Sequence, residues 1–173
     1  MTDKQILHIV TGASSGFGRA VTEHVLRKGD IAVATLRKPE ILSDLQGIYP
    51  ASRLLVLKLD VTKVDEIAAA FAQTKEKFGR VDVVFNNAGY SVLAEVEGTP
   101  DDVARAMFEV NFWGATNVSR EAVRFFREVN KPAGGRLIIS SSIAGVVPAP
   151  LMGYYTAAKH GDTYTFWSTG SPN

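Results

Sequence analysis

An apolar run, Ile6-Leu-His-Ile-Val10, leads directly into Thr11-Gly12-Ala-Ser-Ser-Gly16-Phe-Gly18-Arg-Ala. A strand, a tight glycine turn and a helix are thereby set down in order, and few folds accept that opening. Glycines at 12, 16 and 18 permit a sharp turn and a close backbone approach. The helix that follows, expected to run to about Arg27, presents unpaired N–H groups and a positive dipole to an anion such as a pyrophosphate. The spacing G-x-x-x-G-x-G differs from the commoner G-x-G-x-x-G, so the turn alone does not identify a nucleotide site.

The rest of the chain repeats the same alternation of short apolar runs and helical patterns. Ile31–Thr35, Arg53–Lys58, Val81–Phe85 and Gly135–Ser140 read as strands two to five, apolar enough to be buried on both faces, as in a parallel sheet of βαβ units. Val64, Ile67, Ala68, Phe71 and Phe78 form an apolar stripe at helical spacing, with Thr62 as the expected N-cap and Gly79 beyond the C-terminus. Thr99-Pro100-Asp101-Asp102 opens a long helix ending by Lys131-Pro132. Its predicted inner face is Val103, Met107, Val110, Val118, Ala122, Phe125 and Phe126.

A second chemical signal lies near the other end, where Ser142 precedes Tyr155-Thr-Ala-Ala-Lys159, with Asn111 upstream. Tyrosine and lysine four positions apart share one helix face, so the ammonium can sit near the phenol. A free phenol titrates near ~10, and acid–base work near neutrality needs a depression of roughly 3 units, about 4 kcal/mol, which a neighbouring cation helps supply. Tyr154 has Ala158 rather than a lysine four positions on, so Tyr155 is the preferred partner.

Together these motifs resemble the short-chain dehydrogenase/reductase family, from about residue 5 to 160. Leu59-Asp60-Val61-Thr62 is similar to the family segment whose aspartate holds the adenine ring. Asn86-Asn87-Ala88-Gly89 is similar to the segment beside the adenosine ribose. The resemblance implies an α/β fold, a doubly wound parallel sheet of Rossmann type. It also implies an enzyme transferring hydride between NADP(H) and a small-molecule carbonyl or secondary alcohol, with Tyr155 as general acid or base. Ser142 would hydrogen-bond the substrate oxygen, with Ser140 and Ser141 as lesser alternatives. Lys159 would hold the nicotinamide ribose and lower the phenol pKa, and Asn111 would anchor a water leading protons to Lys159. The nucleotide would rest on Gly12, Ser14, Ser15, Gly16, Phe17 and Gly18, then Asp60 and Val61, then Asn87, Ala88 and Gly89, reaching Tyr155 and Lys159. Strand two ends in Thr35-Leu36-Arg37-Lys38 with no acid, which favours NADP(H) over NAD(H). Either Thr35 or Arg37 meets the ribose position, the register being open by one residue.

Composition restricts the alternatives. With 173 residues, 46% hydrophobic, 21% charged and a net charge of +1, the chain suits one core of moderate size. Its lysines and arginines are interspersed with acids, giving no nucleic-acid or membrane footprint. There are no cysteines, His8, His24 and His160 share no metal-ligand spacing, and no metal is assigned. The start Met1-Thr-Asp-Lys-Gln carries no signal-peptide core, so a cytoplasmic location is expected. Asn117-Val118-Ser119 fits a glycosylation pattern but falls inside the long helix. That helix, 100–130, is the surface through which a homo-oligomer would form in this family.

After His160 the chain reads Gly161-Asp-Thr-Tyr-Thr-Phe-Trp-Ser-Thr-Gly-Ser-Pro-Asn173, a composition that disfavours further helix. The expectation is a nucleotide-binding domain over 1–160, C-terminally truncated after the Tyr-x-x-x-Lys helix, with an atypical tail over 161–173. Such a chain would expose the edge of strand five and lack much of the family's substrate pocket. A non-catalytic nucleotide-binding or dimerising fragment is therefore the alternative.

Overall fold

A computed structural model describes residues 5–167. Five parallel strands, β1 (Leu7–Thr11), β2 (Ile31–Leu36), β3 (Leu54–Lys58), β4 (Val83–Asn86) and β5 (Arg136–Ile139), lie in the order β3-β2-β1-β4-β5. The chain moves outward from β1 to β3, then crosses back to place β4 on the other side of β1. The carboxyl ends of β1 and β4 therefore diverge, and in open α/β sheets that crevice receives ligands.

Alternation along the strands explains the two-sided burial. Leu7 and Ile9 of β1, Val33 of β2 and Val84 of β4 join one cluster with Ile67 and Phe71 of α3 (Val64–Phe78) and with Val118 and Phe125 of the long helix. Val10, Ala32, Ala34 and Leu36 join a second cluster with Val25 and Leu26 of α1 (Gly16–Arg27) and Leu45 of α2 (Ser43–Ile48). The sheet is thus covered on both faces, the arrangement that apolar parallel strands require.

The long helix runs from Asp101 to Val129. α4 (Asp101–Phe108) widens into a π turn over Glu109–Gly114, continues as α5 (Ala115–Arg124) and widens again over Phe125–Val129. Its predicted inner face is buried at Met107, Val118, Ala122, Phe125 and Phe126 and partly buried at Val103 and Val110. At its end the buried Asn130 side chain accepts from Val81 N and donates to Val81 O and Gly134 O, tying the helix exit to the entry of β4.

Three expectations need correction. Thr62 does not cap α3. Its hydroxyl donates to Asp60 Oδ1 at 2.8 Å, and the N-cap position is Lys63, without a side-chain cap. The buried stripe of α3 is Ile67, Ala70, Phe71 and Thr74, while Val64 and Ala68 face outward. The helix carrying Tyr155 and Lys159, α6 (Gly153–Trp167), continues past residue 160, and residues 168–173 lie outside the described residues.

Packing outweighs the weak helix propensity of that last segment. A Cβ on Gly161 would meet the Phe112 ring at 3.1 Å, so the small residue suits the contact. Thr165 returns its hydroxyl to Gly161 O at 2.7 Å, Thr163 meets Ser141 Oγ at 2.9 Å, and Asp162 is buried. Propensity penalties of at most about 1 kcal/mol per residue are readily overridden by such contacts. β5 is an edge strand among the described residues, pairing with β4 alone, and Ile138 on it is 49% exposed.

Candidate active site

The carboxyl ends of the strands open into one continuous cavity of about 1220 Å³. At its centre is the turn between β1 and α1. Gly12 has φ of +66°, a conformation that favours glycine, and a Cβ there would lie 2.9 Å from Ala88 Cα. Gly18 is needed for a different reason. It lies under the turn, outside the cavity lining, where a Cβ would come within 2.2 Å of Gly12 O. The turn is braced from β4, because Thr11 Oγ1 accepts from Asn87 N and Ala88 N, and Asn87 Nδ2 donates to Thr11 O.

On one side of this turn the cavity is bounded by Leu36, Arg37 and the Leu59–Lys63 segment. Thr35 is not part of the lining. It is fully buried in β2, with Oγ1 donating to Val10 O and its own carbonyl accepting from Ala13 N, so of the two residues left open in the sequence only the exposed Arg37 lines the cavity. Asp60 faces the cavity with a stabilised carboxylate. Burial opposes its ionisation, but hydrogen bonds from Thr62 N and Oγ1 and the nearby charges of Arg37 and Lys63 hold its pKa below the ordinary value. Glu66 fixes the same segment by accepting from Asp60 N at 2.7 Å.

Past Asn87, Ala88 and Gly89 the cavity reaches Ser140, Ser141, Ser142, Tyr155 and Lys159. Ser142 opens a short 3₁₀ turn, Ile143–Gly145, and its hydroxyl accepts from Ala144 N at 3.2 Å. Lys159 is 5% exposed and donates to Ser140 O at 2.8 Å, which joins the β5 exit to α6. Burial lowers its pKa, and the Asp162 carboxylate, 3.9 Å away, acts in the opposite direction.

Asn111 occupies a different position from the other three expected catalytic residues. It is fully buried in the π turn and outside the cavity lining. Nδ2 donates to Tyr90 O at 2.7 Å and Oδ1 accepts from Tyr90 N at 3.0 Å. Its side chain therefore pins the segment after β4 to the long helix. Gly89 permits this approach, since a Cβ there would lie 2.9 Å from Asn111 Oδ1.

The cavity also gathers residues that sequence reasoning missed: Thr62, Lys63, Tyr90, Ser91, Ala106 and Glu109 among them. These are set there by loops and by the face of the long helix, so spacing alone gives no signal for them. Lys159 and Asp162, three positions apart on one helix, did offer one.

The lining suits a dinucleotide. A glycine cradle, a hydrogen-bonding carboxylate with a cation beside it, and a polar far end with tyrosine, serine and lysine follow one another along a single cleft. Among the described residues no helix is long and apolar enough to cross a membrane.

The sequence pattern of the short chain dehydrogenase family matches residues 7–166. The chain is 38% identical over 151 residues to an uncharacterized oxidoreductase of Schizosaccharomyces pombe, covering 87% of this chain and 49% of that protein. It is 32% identical over 153 residues to the NADPH-dependent 1-acyldihydroxyacetone phosphate reductase of Saccharomyces cerevisiae, covering 87% and 50% respectively. A crystal structure of a short-chain dehydrogenase from Streptomyces avermitilis superposes with a TM-score of 0.89 at 32% identity, over 98% of this chain and 61% of that one. The chain spans about half the length of the curated relatives it matches. With its Rossmann-like sheet, its glycine turn and a sequence match across nearly all the described residues, the chain belongs to the short chain dehydrogenase family.

Proposed function

We propose that this chain binds NADP(H) and supports its use as a hydride donor or acceptor toward a small carbonyl or secondary alcohol. The observation that carries the reading is the single cavity linking the Gly12 turn to Ser142, Tyr155 and Lys159. The nicotinamide ring, when bound, supplies or takes the hydride.

The chain's own residues then divide the remaining work. N–H groups at the start of α1 face the pyrophosphate, and Asp60 and Val61 face the adenine. Arg37, exposed beside the cavity with no acid at the strand end, meets a 2′-phosphate, and the NADPH dependence named for the yeast relative agrees with that choice. Asn87, Ala88 and Gly89 form the wall along the ribose. Tyr155 gives or takes the proton at the substrate oxygen, Ser142 donates a hydrogen bond to that oxygen, and Lys159 holds the nicotinamide ribose. Asn111 acts by holding Tyr90, and through it the cavity wall. Self-association through the helix over 101–129, where Trp113 is half exposed, belongs to the same reading.

A second reading is nucleotide binding without turnover. It is favoured by the apolar residues left exposed around the catalytic end, Ile143 at 76%, Val146, Val147 and Leu151. Replacing Tyr155 by Phe separates the two. The first reading predicts loss of at least about 100-fold in carbonyl reduction with NADPH still bound. Undiminished turnover in a folded Tyr155→Phe variant rejects Tyr155 as the acid, and absence of turnover in the parent chain, with NADPH bound, selects the second.

A further inference from the structure

Asp162 is the one carboxylate sealed beneath the proposed catalytic end among the described residues. It is 1% exposed, neither Oδ atom accepts a hydrogen bond within the described residues, and Oδ2 lies 3.9 Å from Lys159 Nζ. A buried carboxylate without a hydrogen-bond donor is costly and needs a reason. The same ammonium already donates to Ser140 O, so Lys159 is held between a carbonyl at the β5 exit and a carboxylate one turn along its own helix.

We propose that Asp162 is a positioning residue for Lys159, a second anchor that fixes the ammonium in the cavity when ionised and releases it when protonated. This rests on the reading of Lys159 given above. Burial pushes the Asp162 pKa up to about 6, with Lys159 acting against that rise, so the anchor switches within an ordinary pH range. The elements packed against α6 bring no competing charge to it. Asp101, Asp102 and Arg105 on α4 and Glu109 on the π turn are exposed, and the Ile143–Gly145 turn carries no charge. On α5, Arg120 and Arg124 are exposed and Glu121 is paired with Arg124, while on α6 itself His160 Nδ1 contacts Thr156 O. Among the described residues Asp162 is paired with Lys159, 3.9 Å away.

The test has two layers. In the nucleotide-free full chain, the ¹³Cε resonance of Lys159 is followed by NMR between pH 4.5 and 8. The expected result is an inflection near 6 in the parent protein, absent in Asp162→Asn and retained in Asp162→Glu. No inflection in the parent, or one that survives in Asp162→Asn, overturns the proposal. Absence of the inflection in the parent overturns the coupling even if a variant fails to fold. In the second layer, carbonyl reduction with NADPH is measured over the same range. Asp162→Asn should behave at every pH as the parent does near pH 5, with turnover at pH 7.5 lowered about ten-fold, since misplacement by ~1 Å can cost up to about 100-fold. A parent-like pH profile in an active Asp162→Asn overturns the positioning role. An inflection of the expected kind with no turnover in any variant leaves the Asp162–Lys159 coupling standing and rejects the activity instead.

Discussion

Two glycine-to-alanine changes in helices should shift stability in opposite directions. Gly18 and Gly47 both lie on helices, where alanine gains up to about 1 kcal/mol over glycine. At Gly47 a Cβ meets nothing within 4 Å, so the gain stands and Gly47→Ala should stabilise by about 0.5–1 kcal/mol. At Gly18 a Cβ would lie 2.2 Å from Gly12 O and 2.8 Å from both Gly12 C and Asn87 Nδ2. The obstacle is largely backbone, braced by the Asn87–Thr11 hydrogen bonds, so it cannot swing aside as a side chain would. A 2.2 Å approach to backbone belongs in the upper half of the range of about 1–3 kcal/mol typical of overpacking, so after a propensity gain of about 1 kcal/mol a net loss of about 1–2 kcal/mol remains. For a chain of this size that lowers Tm by roughly 2–8 °C, against a rise of roughly 1–4 °C for Gly47→Ala. Circular dichroism melts of the three proteins give the comparison. An unchanged or higher Tm for Gly18→Ala would show that the turn is not packed as described, and the geometric account of the glycine motif would fall with it.

Arg37→Ser should weaken NADPH binding by about 10- to 150-fold, the value of one charge-assisted hydrogen bond, while leaving NADH within about 3-fold. Calorimetric titration of both nucleotides checks this. His8→Gln should flatten the acid side of the stability curve. Burial lowers the pKa of His8 below its ordinary 6.5, against the pull of Asp30 and Asp82, so the folded state binds fewer protons than the unfolded one. The stability that this contributes is present above pH 6.5 and is lost as pH falls through the folded value. Urea midpoints of the variant and the parent between pH 5 and 7.5 should lie closest at the neutral end and separate at the acid end, where the parent falls and the variant does not. Parallel curves would contradict the assignment.

What was legible in the sequence follows from how local each signal is. The Gly12–Gly18 turn and the Tyr155–Lys159 pair are short patterns whose geometry is set by one turn of backbone, and the structure brings both to one cavity. Arg37 and Thr35 could not be separated from sequence because, two residues apart, they share one side of an extended chain. Only the pairing of Thr35 with Val10 resolves it. Thr62 reads as a cap because threonine before a helix usually is one, yet the nearby Asp60 carboxylate captures its hydroxyl. Asn111 has no local partner at all. Its position depends on a contact with Tyr90, 21 residues earlier, and on a widened helical turn that no propensity scale encodes. Asp162 was obscured by the composition around it, since glycine and threonines argue against helix until Phe112 and Ser141 are seen to pack on them.

A thermal melt of the purified chain with NADPH, with NADH and without nucleotide decides whether the cavity between the Gly12 turn and Lys159 takes NADP(H). At ~100 times its dissociation constant NADPH should add about 2.7 kcal/mol, or roughly 5–11 °C, to a cooperative transition. At the same concentration NADH should add less. A cooperative melt that neither nucleotide moves, or one that NADH moves further than NADPH, would contradict the account.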